Sequence, residues 1–155
     1  AHDHGVVHRN INLDTILVTR HGIAKLAELG TVQSIEQSGL ERPSHPGELM
    51  DHLQFSSPEV QRDPKVASPL SDIYSLGAVC FMMLSGHPPF RGANEVDIMS
   101  KAQSGAHAPL QKLRRAVPDE LAQVVAKAMA AHADRRYQSA AELERDLRRM
   151  GELLR

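Results

Sequence analysis

The chain has 155 residues and a formal net charge of −1. The length suits one domain with a sizeable core, and 41% hydrophobic with 24% charged residues is the composition of an ordinary globular protein. The near-neutral charge argues against nucleic acid as the main partner, because neutralising phosphates requires a basic surplus.

Cys80 is the only cysteine, so the chain cannot form an internal disulfide, and we expect a cytoplasmic protein. No stretch approaches the roughly 18 apolar residues of a membrane-spanning helix, so no membrane segment is expected. The short basic cluster of Lys112, Arg114 and Arg115 is most simply a solvated patch. The sequence opens with Ala1 and no helix-start signal, and we expect it to be part of a longer protein.

Two short apolar runs, residues 16–18 and 23–26, come first in the chain. Between them, residues 19–22 end in a glycine that can take the positive φ of a tight turn. This pattern predicts a β-hairpin. From residue 30 to residue 57 the hydrophobic periodicity disappears, and prolines and glycines among polar residues indicate a long loop.

An almost uniformly apolar segment follows and predicts a central buried helix. Ser71 is the expected N-cap and Gly86 the expected residue after the C-terminus. Pro88 and Pro89 then block any continuation of the helix.

Three further helices are predicted after the central one. A weaker pattern predicts a helix from Asn94 to about Ser104, and a clean apolar stripe at helical spacing begins near Asp119. The last helix opens with a capping box that starts at Ser139. The sequence therefore predicts a mainly helical α+β fold, in which a small hairpin precedes about four helices.

Short motifs at the joints of these elements resemble the C-terminal lobe (C-lobe) of eukaryotic-like Ser/Thr protein kinases, especially the bacterial branch. His8-Arg9-Asn10 resembles the HRD motif of the catalytic loop, and residues 27–30 stand where the DFG motif follows the second hairpin strand. Residues 57–59 resemble the APE motif that ends the activation segment. Three later blocks also match the family pattern, at residues 71–77, 87–90 and 136–143.

The resemblance implies structural roles for five residues. His8 would be the packing histidine of the catalytic loop, and Asp72 would accept hydrogen bonds from the backbone of that loop. Glu59 and Arg136 would form a buried ion pair that orders the activation segment. Arg9 would face a phosphorylated activation loop, although a chain without catalysis has no such switch to operate. The candidate phosphate acceptors are Thr31, Ser34, Ser38 and Ser44.

The positions that carry kinase chemistry depart from the family pattern. Asn10 replaces the catalytic carboxylate, Asn12 the lysine that steadies the transferred phosphoryl group, and Thr15 the metal-binding asparagine. Glu28 replaces the DFG aspartate and is at most a weak Mg²⁺ candidate, because Mg²⁺ demands near-octahedral geometry. Loss of the general base alone costs about 10²–10⁴ in rate. At about His52, a threonine of the bacterial family is also missing.

The resemblance implies a C-lobe over residues 1–155 without an N-terminal lobe (N-lobe). The catalytic loop and hairpin would occupy residues 1–30, the activation segment 31–59 and a helical subdomain 60–155. The predicted function is a pseudokinase-type binding or regulatory module, catalytically inactive, without a cofactor, that binds a protein partner or a missing N-lobe. A weak Ser/Thr kinase that uses Mg-ATP with an N-lobe supplied is one alternative, and a decayed kinase fragment is another.

Two smaller expectations complete the sequence-based predictions. His2, His4 and His8 are not expected to bind metal, because their spacing falls on a helix end and a loop. In the family, another helix covers the central helix, and only its tail is represented here. The central helix is therefore expected to expose an apolar strip between Ile73 and Leu84.

Overall fold

The structure, a computed structural model, describes residues 1–29 and 52–153. The fold is mainly helical with one two-stranded antiparallel sheet, which confirms the predicted α+β, kinase C-lobe-like class. Most of the predicted long loop lies outside the described residues. Its described end is not a loop throughout, because residues 52–55 are helical and a further helix begins at Pro58.

The predicted hairpin is confirmed. Strand β1 spans Ile16–Val18 and pairs with strand β2, Ala24–Leu26, so that Leu17 lies opposite Lys25. The turn is closed by a hydrogen bond of 2.9 Å from the Gly22 N–H to the Thr19 carbonyl. Gly22 has a φ of 76°, a conformation that costs glycine nothing and other residues about 1 kcal/mol or more.

The central helix, α2, follows the short helix α1 (Pro58–Arg62) and spans Pro69–Ser85. The prediction that Ser71 is the N-cap is wrong, because the N-cap is Ser68 and Ser71 lies one turn inside the helix. Pro69 can occupy the first helical position because its missing N–H would have no helical partner there. The Ser71 hydroxyl instead accepts a hydrogen bond of 2.9 Å from the Ser68 N–H.

The three other long helices lie where the sequence predicts them. They are α3 (Glu95–Ser104), α5 (Asp119–Ala128) and α6 (Ala140–Leu153), and the short helix α4 (Leu110–Leu113) precedes α5. Ser139 caps α6 by accepting a hydrogen bond of 3.2 Å from the Glu142 N–H. Glu142 reaches back to the Gln138 N–H at 2.9 Å, one residue earlier than a standard capping box places it.

The hydrophobic core is built around α2, with Tyr74, Ala78 and Val79 at most 1% exposed. Helices α2 and α5 pack closely because Gly77 has no side chain. A Cβ atom at residue 77 would lie 2.8 Å from the Ala128 Cβ. Helix α6 packs against both helices through its apolar face, which includes Leu143 and Met150.

The expected apolar strip on α2 is present but narrow. Leu76 and Cys80 are half-buried and Met83 is 69% exposed, at helix positions i, i+4 and i+7. Burial raises the pKa of the Cys80 thiol, as expected for a cysteine that acts as a small hydrophobe. Among the helices described, none is long and apolar enough to cross a membrane.

Candidate functional site

Asp72, in the first turn of α2, fixes the backbone of the segment that resembles a catalytic loop (residues 8–15). Its carboxylate is 3% exposed and accepts hydrogen bonds from the His8 N–H at 2.8 Å and the Arg9 N–H at 2.9 Å. These bonds hold Arg9 at a φ of 70°, which costs a residue with a side chain roughly 1–2 kcal/mol. Asp72 thus makes the backbone contacts that the resemblance assigned to it.

His8 links the same segment to the hairpin. Its side chain is 2% exposed, and its Nε2 lies 2.8 Å from the Ala27 carbonyl oxygen, just beyond β2. Its Nδ1 accepts a hydrogen bond of 3.3 Å from the Asn10 N–H. One nitrogen therefore donates and the other accepts, which is the pattern of a neutral imidazole that packs rather than reacts.

Asn10, Asn12 and Thr15, the three replaced positions of the catalytic loop, bond to one another. The Asn12 Nδ2 donates to the Asn10 Oδ1 at 3.1 Å and to the Asn10 carbonyl at 3.3 Å. The Asn12 Oδ1 accepts from the backbone N–H groups of Asp14 at 2.8 Å and Thr15 at 3.1 Å. The two donor hydrogens and two acceptor sites of the Asn12 amide are therefore engaged inside the loop.

Thr15, the residue just before β1, closes this network. Its hydroxyl donates to the Asn10 carbonyl at 3.0 Å and accepts from the Asn12 N–H at the same distance. Thr15 is 2% exposed, so its hydroxyl is enclosed by the loop that it stabilises. We call these three residues the loop network. It contains no ionisable side chain, so it can neither take up a proton at neutral pH nor balance the charge of a phosphate.

Glu28 is the one charged side chain among the four replaced positions. It is exposed, lies two residues beyond β2 and has a φ of 61°. Glu28 and Arg9 are the two residues other than glycine with positive φ in residues 1–29 and 52–153. Such backbone strain is often found at functional sites, so the hairpin end keeps an unusual shape although its aspartate is replaced.

Glu59 and Arg136 form the ion pair that the resemblance implies. The Arg136 Nη1 and Nη2 donate to the two oxygens of Glu59 at 2.7 and 2.8 Å. The expectation of a fully buried pair is only half met, because Arg136 is enclosed while the Glu59 side chain is 26% exposed. Glu59 sits near the edge of the fold because α1 is a surface helix of only five residues.

Arg136 uses every donor that it has. Besides the two bonds to Glu59, its guanidinium donates to the carbonyl oxygens of Ala130, Ala131 and Leu70 at 2.8 to 3.0 Å. Burial alone would raise the pKa of Glu59, but the hydrogen bonds and positive charge of Arg136 outweigh it and lower that pKa. The pair thus joins α1, the start of α2 and the turn after α5.

The structure says less about the remaining residues that the sequence analysis singled out. Burial lowers the pKa of His52, at the end of the activation-segment stretch, which favours its neutral form. The candidate phosphate acceptors lie outside the described residues. In residues 1–29 and 52–153, no three His, Cys, Asp or Glu side chains are arranged to hold a metal ion.

Sequence reasoning missed one contact at this site. The His2 Nε2 lies 2.9 Å from the Asp72 Oδ2, so the 3-10 turn at His2–His4 also anchors on α2. No local pattern could predict a contact between residues 70 positions apart. The loop network, by contrast, had a signal, since an asparagine often accepts hydrogen bonds from the backbone two and three residues ahead.

Comparison with known proteins places this geometry in a family. A family model described as the protein kinase domain matches residues 1–146. The serine/threonine-protein kinase PknB of Mycolicibacterium smegmatis is 32% identical over 98% of the chain, and PknB of Mycobacterium tuberculosis strain H37Rv is 31% identical over 97%. A probable serine/threonine-protein kinase of Clostridium perfringens, CPE1738, is 31% identical over 97%.

These matches cover only 24%, 24% and 21% of the respective relatives, so the chain spans less than a quarter of their length. The matched region includes the catalytic-loop segment, the hairpin, the Glu59–Arg136 pair and all of the described helices except the end of α6. The chain therefore belongs to the protein kinase domain family.

Proposed function

We propose that this chain is a pseudokinase-type module, a C-lobe that binds or regulates a protein partner and does not itself transfer phosphate. The observation that carries the proposal is the loop network. Phosphoryl transfer in kinases depends on a carboxylate that orients the substrate hydroxyl and on cations that balance the developing charge. Asn10, Asn12 and Thr15 supply neither, and they are engaged with one another.

The same residues fit Mg²⁺ poorly. Mg²⁺ requires oxygen ligands in near-ideal octahedral geometry at about 2.0–2.1 Å. The Thr15 hydroxyl is buried within the loop, and the Asn12 oxygen already accepts two backbone N–H groups. Among the four replaced positions only Glu28 offers a carboxylate. The proposal therefore includes no cofactor for this chain.

The preserved scaffold gives the proposed binding role a folded lobe to act through. Asp72 and the Glu59–Arg136 pair maintain the shape of a kinase C-lobe without catalytic residues. In the proposal, the protein is cytoplasmic, residues 1–30, 31–59 and 60–155 are the three parts of the lobe, and an N-lobe or a separate protein is its partner.

A weak Ser/Thr kinase is the second candidate, and one observation favours it. Glu28 keeps a strained backbone at a φ of 61°, and this conformation persists only where the surroundings impose it. The curated relatives are also named as serine/threonine-protein kinases. Under this alternative, Glu28 would contribute to Mg-ATP binding with an N-lobe supplied upstream or in trans.

A radiolabel assay separates the two candidates. The purified 155-residue chain is incubated with labelled Mg-ATP and a generic Ser/Thr substrate protein, and the same assay is run on any longer polypeptide that the gene encodes. The proposal predicts no transfer above the level of a Glu28→Ala variant. Metal-dependent transfer that disappears in Glu28→Ala would establish the weak kinase and refute the proposal.

A decayed fragment without selected function is the third possibility, and it makes a different prediction. A pseudokinase module should capture a stoichiometric partner from its own organism, and the captured partner should be lost when Arg136→Ala unfolds the lobe. An exposed-surface variant, Arg148→Ala, should retain the partner. If neither the wild-type chain nor this variant retains a specific protein, the decayed fragment is favoured.

A further inference from the structure

No further inference is drawn: the strongest candidate, the exposed apolar surface of the β1–β2 hairpin around Leu17, Val18 and Ile23, carries none because nothing in residues 1–29 and 52–153 shows what covers it.

Discussion

Replacing Arg136 with alanine is the most severe single change that the structure predicts for this lobe. The substitution strands the half-buried carboxylate of Glu59 and removes the donors from three carbonyl oxygens. Breaking a buried pair by removing one partner costs about 3–5 kcal/mol. Partial exposure of Glu59 reduces that cost, while each buried carbonyl left unpaired adds about 1 kcal/mol or more. We therefore expect a net loss of about 3–5 kcal/mol, comparable with the whole stability of a marginal domain, about 5–15 kcal/mol.

Urea denaturation at pH 7, followed by circular dichroism, measures this loss. Glu59→Gln should cost less, by at least about 1 kcal/mol, because glutamine still accepts a hydrogen bond and Arg136 keeps its three carbonyl partners. Arg148→Ala is the control, since its pair with Glu144 is exposed and worth at most about 0.5 kcal/mol. If the free energy of unfolding of Arg136→Ala lies within about 1 kcal/mol of the wild-type value, the ion pair does not hold these segments together.

Four further predictions follow from named contacts. Because Arg136 lowers the pKa of Glu59, the difference in unfolding free energy between wild type and Glu59→Gln should be full above pH 4.5, the ordinary value, and shrink as the pH falls through the lowered pKa. A difference that grows as the pH falls below 4.5 would contradict this. Gly77→Ala should cost about 1–3 kcal/mol by urea denaturation through its clash with α5, whereas Gly151→Ala, with open space around it, should not destabilise the chain. Asp72→Asn places an amide N–H opposite one of the backbone N–H groups that the carboxylate accepts from, so the free energy of unfolding should fall by about 2–3 kcal/mol. Hydrogen exchange at the amides of residues 8 and 9 should become faster, and unchanged exchange would contradict the role of Asp72 in holding this backbone. Asn10→Asp should leave radiolabel transfer undetectable, because one restored carboxylate supplies no cation.

Local pattern was enough to predict most of the fold. The apolar stripes of α5 and α6 and the turn at Gly22 are periodic or conformational signals carried by neighbouring residues, and the structure has them in place. The short helices α1 and α4 were missed because four or five residues are too few to show a 3.6-residue period. The start of α2 was misplaced by three residues because Ser71 and Ser68 are equally good caps, and only Pro69 distinguishes them.

The contacts of the candidate site differ in how far the local sequence could predict them. The partners of Asp72 and Glu59 lie 63 to 77 residues away in the chain, so the contacts were expected only through the family resemblance. No local propensity encodes them. The loop network spans only six residues, and its hydrogen bonds follow from the side chains themselves. It shows how this segment stays ordered with uncharged side chains at positions 10, 12 and 15.

The scaffold and the chemistry are under different physical constraints. Asp72 and Arg136 each satisfy several buried polar groups, so replacing either one destabilises the lobe whatever the lobe does. Asn10, Asn12 and Thr15 form their hydrogen bonds within residues 10–15, so their contacts hold one local segment rather than distant parts of the lobe. Retention of the scaffold therefore shows only that the fold is maintained. Evidence for a selected function has to come from surfaces whose residues the stability of the fold does not explain.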